Sequence, residues 1–472
     1  MKKFFEKYDL FKIVCLAILV TVVLTWIIPS PTVANGMAGA DSIKRVGLVD
    51  LFSSGVYGVN FFLQQILLVL FVGVFYGVLS KSSGYQVLVS RVASKLKGKE
   101  SLFVIFSSAI IALLTSLLSQ TFVVLIFIPL IISIASKMKL DKLTTMLCSF
   151  GAILVGIVGA TFGTEGVSYF INYLSMYDTT IDIKTLLGIR FGILALALIL
   201  YNFFTLLHLK KARKNNKEEM VLDLFEGTEE NKKAKVWPMV FFLIVLFSFT
   251  ILGYINWEEN FGLTLFREFH EWLTELAIDK YTIISYILGS RATYFGFWEL
   301  YQIFTVMGVL LLFVKIIYRI KLDDFIEEAI DGLRKMAKPA LLMFLIFTVF
   351  VFIYWTPFTY TLSKGLIGET FNPFLTAVSG FVSALFHLDF GYTSYLLGEL
   401  MTTNFGNSLD VGFLIYVTMN GMVQIIAPTS ALLFIGLSYL DLPYKNWMKG
   451  IWKFFIALFI LLFIIFALLA YL

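Results

Sequence analysis

The chain has 472 residues, of which 59% are hydrophobic and only 15% are charged, and its mean hydropathy is +0.87. A soluble globular protein carries about a quarter of charged residues, so this composition excludes that class and indicates a membrane protein. The net charge of +5 is small for this length and does not indicate a nucleic-acid partner.

Apolar stretches of about 20 residues recur along the chain, and each is long enough to cross about 30 Å of hydrocarbon. Continuous spans are predicted at 10–29, 59–80, 184–207, 237–256, 298–318, 338–356 and 448–471. Four further stretches are interrupted by polar residues, namely 101–118 with 122–137, 143–160 with 167–175, 371–388 with 395–404, and 411–426 with 431–440. The first span follows Lys2 and Lys3 without a small-residue cleavage site, so we expect a retained helix with a cytoplasmic N-terminus.

Basic residues indicate how the chain is threaded, because cytoplasmic loops are enriched in Lys and Arg. Basic clusters follow four apolar stretches, at 91–99, 137–142, 210–217 and 315–321. All four lie in the cytoplasm if the N-terminus is inside and 101–137 is a hairpin that enters and leaves from one side. The acid-rich segment 257–297 then lies outside. Arg190 and Arg291 fall near span ends, where we expect their side chains to snorkel to the membrane surface.

The two halves of the chain follow the same order of elements. Residues 209–236, which carry charges of both signs and no apolar period, are a predicted cytoplasmic linker. The first predicted repeat comprises 1–208 and contains a hairpin at 101–137 and a broken helix at 143–175. The second comprises 237–472 and contains a surface helix at 322–335, a hairpin at 371–404 and a broken helix at 411–440. By the charge map, 59–80 and 338–356 cross in opposite directions. The sequence therefore predicts an all-α polytopic membrane protein of two inverted-topology repeats with re-entrant hairpins and broken helices.

The polar breaks are the candidate binding site, because irregular backbone at membrane depth is tolerated only where protein or a water-filled cavity satisfies it. Half-helix N-termini at such breaks favour an anion, and half-helix C-termini with hydroxyl groups coordinate a cation. Four breaks in symmetric positions predict one site for a small-molecule substrate near the midplane. The predicted substrate-binding residues are Ser119, Gln120, Thr121, Thr161, Thr164, Glu165, Tyr392, Thr393, Ser394, Asn420, Thr429 and Ser430.

Glu165 carries the sharpest hypothesis, because an acid inside an intramembrane break is costly to bury and marks a functional site. Its ligand would be a proton, Na⁺ or the cationic end of a substrate; a break nearer the outer face would instead leave it solvated. The coupling-ion candidates are Glu165, Asp389 and Asn420, with Na⁺ or H⁺ as the ion and no other cofactor. The alternative for the hydroxyl residues is bonding back to helix carbonyls, and for Gln120 and Asn420 it is an interhelical hydrogen bond.

The last break has the sequence Asn420-Gly-Met-Val-Gln-Ile-Ile-Ala-Pro-Thr-Ser, and Leu442-Pro-Tyr-Lys-Asn-Trp-Met-Lys follows it. These segments resemble the Asn-x-Ile-x-Pro-Thr-Ser break and Ile-Pro-Tyr-x-Lys-Trp exit of the YfcC / C4-dicarboxylate anaerobic carrier (DcuC-like) group of the ion-transporter superfamily. The stretch beginning Lys321-Leu-Asp-Asp-Phe and the Gly-rich break at 159–166 are also similar to that group. The second hairpin tip, Asp389-Phe-Gly-Tyr-Thr-Ser, departs from the group's Pro-Ser-Gly-Ser-Gly loop.

The resemblance implies an electrochemically driven carrier of small carboxylates or amino acids. It also implies a homodimer joined by a scaffold domain, with a transport domain that shifts across the bilayer as an elevator. Abundant Phe, Ile and Lys are typical of an AT-rich bacterial genome, so we expect a multi-pass protein of the bacterial cytoplasmic membrane.

The expected function is secondary transport of a carboxylate-bearing metabolite, with an amino acid as the first candidate and basic amino-acid exchange included. The alternative is a C4-dicarboxylate or short-chain fatty-acid carrier of the same fold, and an ion channel is a remote alternative. The sequence has no His-Glu-x-x-His motif and no P-loop, so we expect neither an intramembrane enzyme nor ATP hydrolysis. Cys15 and Cys148 form no metal-ligand spacing, so no metal site is expected.

Overall fold

The computed structural model describes residues 8–34, 37–42, 44–162, 183–215, 219–225, 227, 234–276, 281–368, 370–386 and 390–471. Within these ranges, eight helices are long and apolar enough to cross a membrane. They are the seven continuous spans predicted from hydropathy together with Glu100–Leu117, the first arm of an interrupted stretch. This confirms the predicted fold class, a polytopic α-helical membrane protein.

The first half begins with a membrane helix and a β-hairpin and continues through the two interrupted stretches. Its elements are α1 Asp9–Ile27, β1 Ser30–Ala34, β2 Met37–Ser42, α2 Leu48–Lys81, α3 Ser83–Lys95, α4 Glu100–Leu117, a 3-10 helix Thr121–Phe127, α5 Ile128–Lys137, α6 Lys142–Cys148, α7 Phe150–Val158 and α8 Ile183–Asn215. The antiparallel pair β1–β2 is an addition to the predicted all-α chain. Its sequence signal is the Asn35-Gly36 dipeptide between the strands, which favours a two-residue hairpin turn.

The second half adds one membrane helix and three short helices and then repeats the order of the first. Its elements are α9 Trp237–Tyr254, α10 Trp257–Phe261, α11 Leu265–Glu275, α12 Ile283–Leu288, α13 Leu300–Ile317, α14 Leu322–Trp355, α15 Phe358–Ile367, α16 Pro373–Ala384, α17 Phe390–Phe405, a 3-10 turn Gly406–Ser408, α18 Leu409–Gln424, α19 Ala431–Tyr439 and α20 Tyr444–Tyr471.

Helices α2 and α14 occupy equivalent places in the two halves, and each is 34 residues long. They cross antiparallel, because the end of α2 meets the start of α14, where the Lys81 ammonium lies 2.8 Å from the Glu328 carboxylate. At the crossing, a Cβ built on Gly332 would lie 2.1 Å from the Gly73 carbonyl oxygen, so only glycine allows this approach. The antiparallel crossing is the geometry that an inverted repeat requires.

The predicted surface helix 322–335 is not separate from the following span, because both belong to the single helix α14. The reason is the crossing: Gly332 is buried against α2, so this segment continues the span instead of lying flat on the membrane. The amphipathic piece at 48–52 is likewise the first part of α2. In α2 the continuity is interrupted at Phe62, whose backbone leaves the helical region at φ −118° and whose ring stacks on Phe347.

Both ends of the first hairpin lie at the same end of α8. At the start of α4, Glu100 pairs with Arg213; just after α5, the Asp141 carboxylate lies 3.1 Å from His208 Nε2. Burial by itself would raise the pKa of the Asp141 carboxyl, but the hydrogen bonds from His208 and Thr144 outweigh it and lower that pKa to about 2. The chain between Glu100 and Asp141 therefore enters and leaves from one side.

The second hairpin also returns to the side where it began. The Phe371 and Phe405 rings, one before α16 and one at the end of α17, are 5.2 Å apart. This end lies near the β-hairpin of the first half, since the Ala38 N–H donates to the Glu399 carboxylate at 3.2 Å. The two hairpins thus open toward opposite ends of the molecule, one at the basic end of α8 and the other at the β-hairpin.

Candidate functional site

The first hairpin is joined to the first broken helix by a compact hydrogen-bond cluster. Ser116, at the end of α4, donates from its hydroxyl to the Gly159 carbonyl at 2.7 Å. The Thr161 N–H donates to Ser116 Oγ at 3.1 Å, and the two hydroxyl oxygens are 2.9 Å apart. Both side chains are buried. Thr161 therefore lies in the break, as the sequence predicts, but its hydroxyl is used to attach the break to α4.

This break packs on α8 far from the basic end of that helix. A Cβ on Gly159 would be 2.4 Å from Leu194 Cβ, so the break packs directly on α8 at the level of Leu194. His208, which marks the basic end of α8, is fourteen residues further along the helix, or about 21 Å at about 1.5 Å per residue. A hydrocarbon layer of about 30 Å whose surface lay at His208 would therefore contain the Gly159 break.

The second hairpin is joined to the second broken helix in a similar way. The Thr429 hydroxyl donates to the Leu385 carbonyl at the end of α16, at 2.6 Å. Ser430 caps α19 by accepting a hydrogen bond from the Leu433 N–H at 3.4 Å. The break between α18 and α19 therefore contacts the hairpin through Thr429 while Ser430 supplies a helix N-terminus.

The two broken helices meet each other directly. A Cβ on Gly421 of α18 would lie 2.4 Å from the Val158 nitrogen and 2.6 Å from the Ile157 carbonyl carbon, at the end of α7. With the Ser116–Gly159 and Thr429–Leu385 contacts, this close approach joins all four breaks into one continuous region. The structure thus brings together elements that are separated by more than half of the chain.

Three predicted residues begin half-helices in this region. Thr121 is the first residue of the 3-10 helix, Thr393 lies in the first turn of α17, and Ser430 is the N-cap of α19. Helix N-termini carry partial positive charge and unpaired N–H groups, which favour an anion. Thr393 and the neighbouring Ser394 are buried.

Asn420 offers a buried hydrogen-bond donor next to the meeting point of the broken helices. Its side chain is 5% exposed, its Oδ1 accepts from Gln424 Nε2 at 3.0 Å, and its Nδ2 has no partner among the described residues. A buried donor without a partner costs about 1–3 kcal/mol, so the position is poised to receive an acceptor atom. An amide N–H suits a carboxylate oxygen of a substrate better than a coupling cation.

Two other predicted residues are tied to neighbouring helices. The Ser119 N–H donates to the Tyr254 carbonyl of α9 at 2.8 Å. The Tyr392 hydroxyl donates to the Ile353 carbonyl of α14 at 3.1 Å. These contacts position the hairpin tips against α9 and α14. Gln120, between Ser119 and Thr121, is half-buried at the first tip.

Thr164, Glu165 and Asp389 lie outside the described residues. Their predicted roles in binding substrate or a coupling ion stay predictions. Within the described residues, the candidate site consists of the Ser116–Thr161 cluster, the half-helix N-termini, and Asn420 with Gln424. Ser116 and Gln424 were not predicted; both are polar residues within one turn of a predicted break.

Arg190 corrects an expectation from the sequence. Its side chain does not snorkel to the membrane surface but is only 2% exposed, on the face of α8 that is buried in the protein. The periodicity explains the difference, because Arg190 lies four residues before Leu194, which packs on Gly159. The sequence signal for a buried Arg190 is its charge inside an apolar span. The prediction of snorkelling rested instead on its position near the end of that span.

The Pro428 break frees backbone carbonyls that two side chains of the last helix satisfy. Trp447 Nε1 donates to the Ile425 carbonyl at 2.9 Å, and the Tyr444 hydroxyl donates to the Ile426 carbonyl. Trp447 is fully buried. The Pro-Tyr-x-x-Trp segment at the start of α20 therefore holds the break in its irregular conformation.

Trp447→Phe is expected to lower the free energy of unfolding by about 1–3 kcal/mol, because the buried Ile425 carbonyl loses its donor. The measurement is thermal unfolding of the full chain in detergent. Trp452→Phe is the matched control, since Trp452 lies on the same helix with an exposed side chain. Equal shifts for the two variants would contradict the role given to Trp447.

Comparisons with known proteins add little to this geometry. No family model matches the chain, and no curated protein matches it significantly. Among solved structures, the chain is similar to that in the crystal structure of the Alcanivorax borkumensis YdaH transporter, described as having an unusual topology. The identity is 13%, the match covers 97% of each chain, and the TM-score is 0.38. A TM-score at this level decides neither the fold nor the function of the present chain.

Proposed function

We propose that this chain is a secondary active transporter of a small carboxylate-bearing metabolite. The observation that carries the proposal is that helix breaks from both halves of the chain are joined into one region between apolar spans. Such breaks cost hydrogen bonds that a purely structural membrane helix keeps, so they indicate a site for a polar solute. The antiparallel crossing of α2 and α14 supports alternating access between two inverted halves.

In this proposal the substrate carboxylate binds at the half-helix N-termini near Thr121, Thr393 and Ser430, with the Asn420 amide as a further donor. An amino acid is the first candidate, with basic amino-acid exchange included. Glu165 would then neutralise the amino or guanidinium group of the substrate, or bind Na⁺ or H⁺ as the coupling ion. Asp389 is the further candidate for the coupling ion.

A C4-dicarboxylate or short-chain fatty-acid carrier of the same fold is the second candidate function. The buried Arg190 favours it, because a fixed positive charge beside the break attracts anions and repels a cationic substrate. In this case Glu165 binds the coupling cation only. An ion channel is the remote alternative, and single-channel currents would support it.

We further propose a homodimer in the bacterial cytoplasmic membrane, with the N-terminus in the cytoplasm. A transport domain that contains the four breaks would shift against a scaffold domain that forms the dimer contact. Chemical cross-linking of the full chain in native membranes, followed by electrophoresis, tests the dimer. Absence of a dimeric species under those conditions would remove this part of the proposal.

Counterflow uptake into proteoliposomes tests the function, with labelled arginine compared with labelled succinate at fixed Na⁺ and pH. Accumulation of arginine supports the amino-acid carrier, and accumulation of succinate supports the dicarboxylate carrier. Failure to accumulate either probe counts against both candidate substrates. The sign of the current during net uptake also separates the two candidate substrates, because arginine and succinate carry net charges of opposite sign.

Glu165→Gln is expected to abolish arginine accumulation, because the amide cannot neutralise a cationic group in the membrane. If succinate is the substrate, the same variant is expected to lose the dependence of uptake on the coupling cation. Glu271→Gln is the matched control, since Glu271 is an exposed carboxylate of the outer helix α11. Normal transport by Glu165→Gln with either probe would remove Glu165 from the site.

A further inference from the structure

Arg190 is a buried cation that no described residue neutralises. Its side chain is 2% exposed, and none of its three guanidinium nitrogens has a hydrogen-bond partner among the described residues. Leaving a charge buried and unpaired costs several kcal/mol, and the cost is recovered when an anion with matching geometry binds. We therefore expect an anion other than a described side chain to bind the Arg190 guanidinium.

Arg190 lies one helical turn before the residue of α8 that packs on the first break. One turn along α8, Leu194 packs on Gly159, and the adjacent Phe191 ring lies 6.1 Å from the Phe162 ring. The side chain of a helical residue lies over the turn N-terminal to its own Cα, so Arg190 extends past the end of α7 rather than alongside it. The Arg190 side chain thus extends along α8 away from the basic end of that helix.

A second buried side-chain donor belongs to the helix of the other half that packs on the end of α7. Asn420 precedes Gly421, which contacts the last residues of α7, Ile157 and Val158. Like the guanidinium nitrogens of Arg190, its Nδ2 is buried and has no hydrogen-bond partner among the described residues. The end of α7 is therefore contacted by α8 one turn from Arg190 and by α18 at the residue that follows Asn420.

We propose that Arg190 binds a carboxylate group of the transported substrate, and that this contact makes the site selective for carboxylates. The planar guanidinium presents paired N–H groups that match the two oxygens of a carboxylate, which a lysine ammonium does not. The inference rests on the proposed function and deepens it by assigning the carboxylate to a residue. It applies to the carboxylate of an amino acid and to that of a dicarboxylate.

The test is thermal unfolding of the full chain in detergent with increasing succinate or arginine, and with succinamide or argininamide, which lack the free carboxylate. Ligands that bind the folded protein raise its melting temperature, and the half-maximal concentration reports affinity without turnover. We expect stabilisation by at least one carboxylate and not by its amide. Arg190→Gln is expected to raise the half-maximal concentration by at least about 30-fold, and Arg190→Lys by less.

The ligand-free variant supplies a second measurement. Arg190→Gln without ligand is expected to melt at the same temperature as the wild type or higher, because it removes an unpaired buried charge. Arg291→Gln, which changes an exposed arginine near a span end, is the matched control and should leave both measurements unchanged. A marked loss of ligand-free stability in Arg190→Gln would show instead that the chain itself supplies the anion, and would overturn the proposal.

The outcomes separate this inference from the proposed function. Carboxylate-dependent stabilisation that is lost in Arg190→Gln, in a protein that shows no counterflow, would support the site and count against transport. Counterflow that Arg190→Gln leaves intact would support transport and overturn the site. Absence of carboxylate-dependent stabilisation in the wild type would also overturn it.

Discussion

Gly421→Ala is expected to abolish transport and to destabilise the protein, although it adds only one methyl group. The new Cβ would lie 2.4 Å from the Val158 nitrogen and 2.6 Å from Val158 Cα and the Ile157 carbonyl carbon. All three are backbone atoms, which cannot rotate away as a side-chain end can, so α18 and α7 must separate. Overpacking of this kind costs about 1–3 kcal/mol, and here it also displaces Asn420 from the site.

The measurements are counterflow in proteoliposomes and the melting temperature in detergent. Gly398→Ala is the matched control, because Gly398 is also helical and buried but has no atom within 4 Å of the position of a Cβ. Alanine is the better helix former, so the control should keep or slightly raise stability. If Gly421→Ala and Gly398→Ala behaved alike, the direct contact between the broken helices would be refuted.

Gly332→Ala is expected to disrupt the arrangement of the two halves. Its Cβ would lie 2.1 Å from the Gly73 carbonyl oxygen and 3.1 Å from Gly77 Cα, at the crossing of α14 with α2. Small residues at a membrane-helix crossing allow the backbones to approach closely, and packing is then the main attraction between the helices. We expect a loss of at least about 2 kcal/mol and a broad or aggregated profile in size-exclusion chromatography.

Gly308→Ala tests whether this effect is specific to the crossing. Gly308 lies in the membrane helix α13, and no atom lies within 4 Å of the position of its Cβ. This variant should give a monodisperse protein with the wild-type melting temperature. A Gly332→Ala protein that matches it would show that α2 and α14 tolerate separation, contrary to the geometry of the crossing.

The apolar spans were accessible from the sequence because lipid imposes a local requirement on length and polarity, whereas the inverted order of the two halves stays a prediction. A span must be about 20 apolar residues long, and basic residues remain on the cytoplasmic side, so hydropathy and charge together predict spans and directions. The breaks were also predictable, since polar and Gly- or Pro-containing segments interrupt otherwise apolar stretches. Thr121 accordingly begins the 3-10 helix and Ser430 is the N-cap of α19, whereas Thr393 lies inside the first turn of α17, which begins at Phe390.

Contacts between distant segments could not be predicted from the sequence, because no local pattern of residues encodes them. The hydrogen bond from Trp447 Nε1 to the Ile425 carbonyl illustrates this. The donor and the acceptor are 22 residues apart in the sequence, and they meet only because α20 packs on the break. The predicted surface helix failed for the same reason, since the burial of Gly332 depends on α2, which precedes it by more than 240 residues.

The sequence by itself determined the membrane class, the apolar spans and the position of the breaks next to them, because each follows from the length and polarity of a short segment. Only the tertiary structure decided what the polar residues do. It showed that the Thr161 hydroxyl is bound to Ser116, that Asn420 keeps an unpartnered donor, and that Arg190 is buried. A side chain's partners and its exposure are set by which helix faces it, and that is a property of packing rather than of sequence pattern.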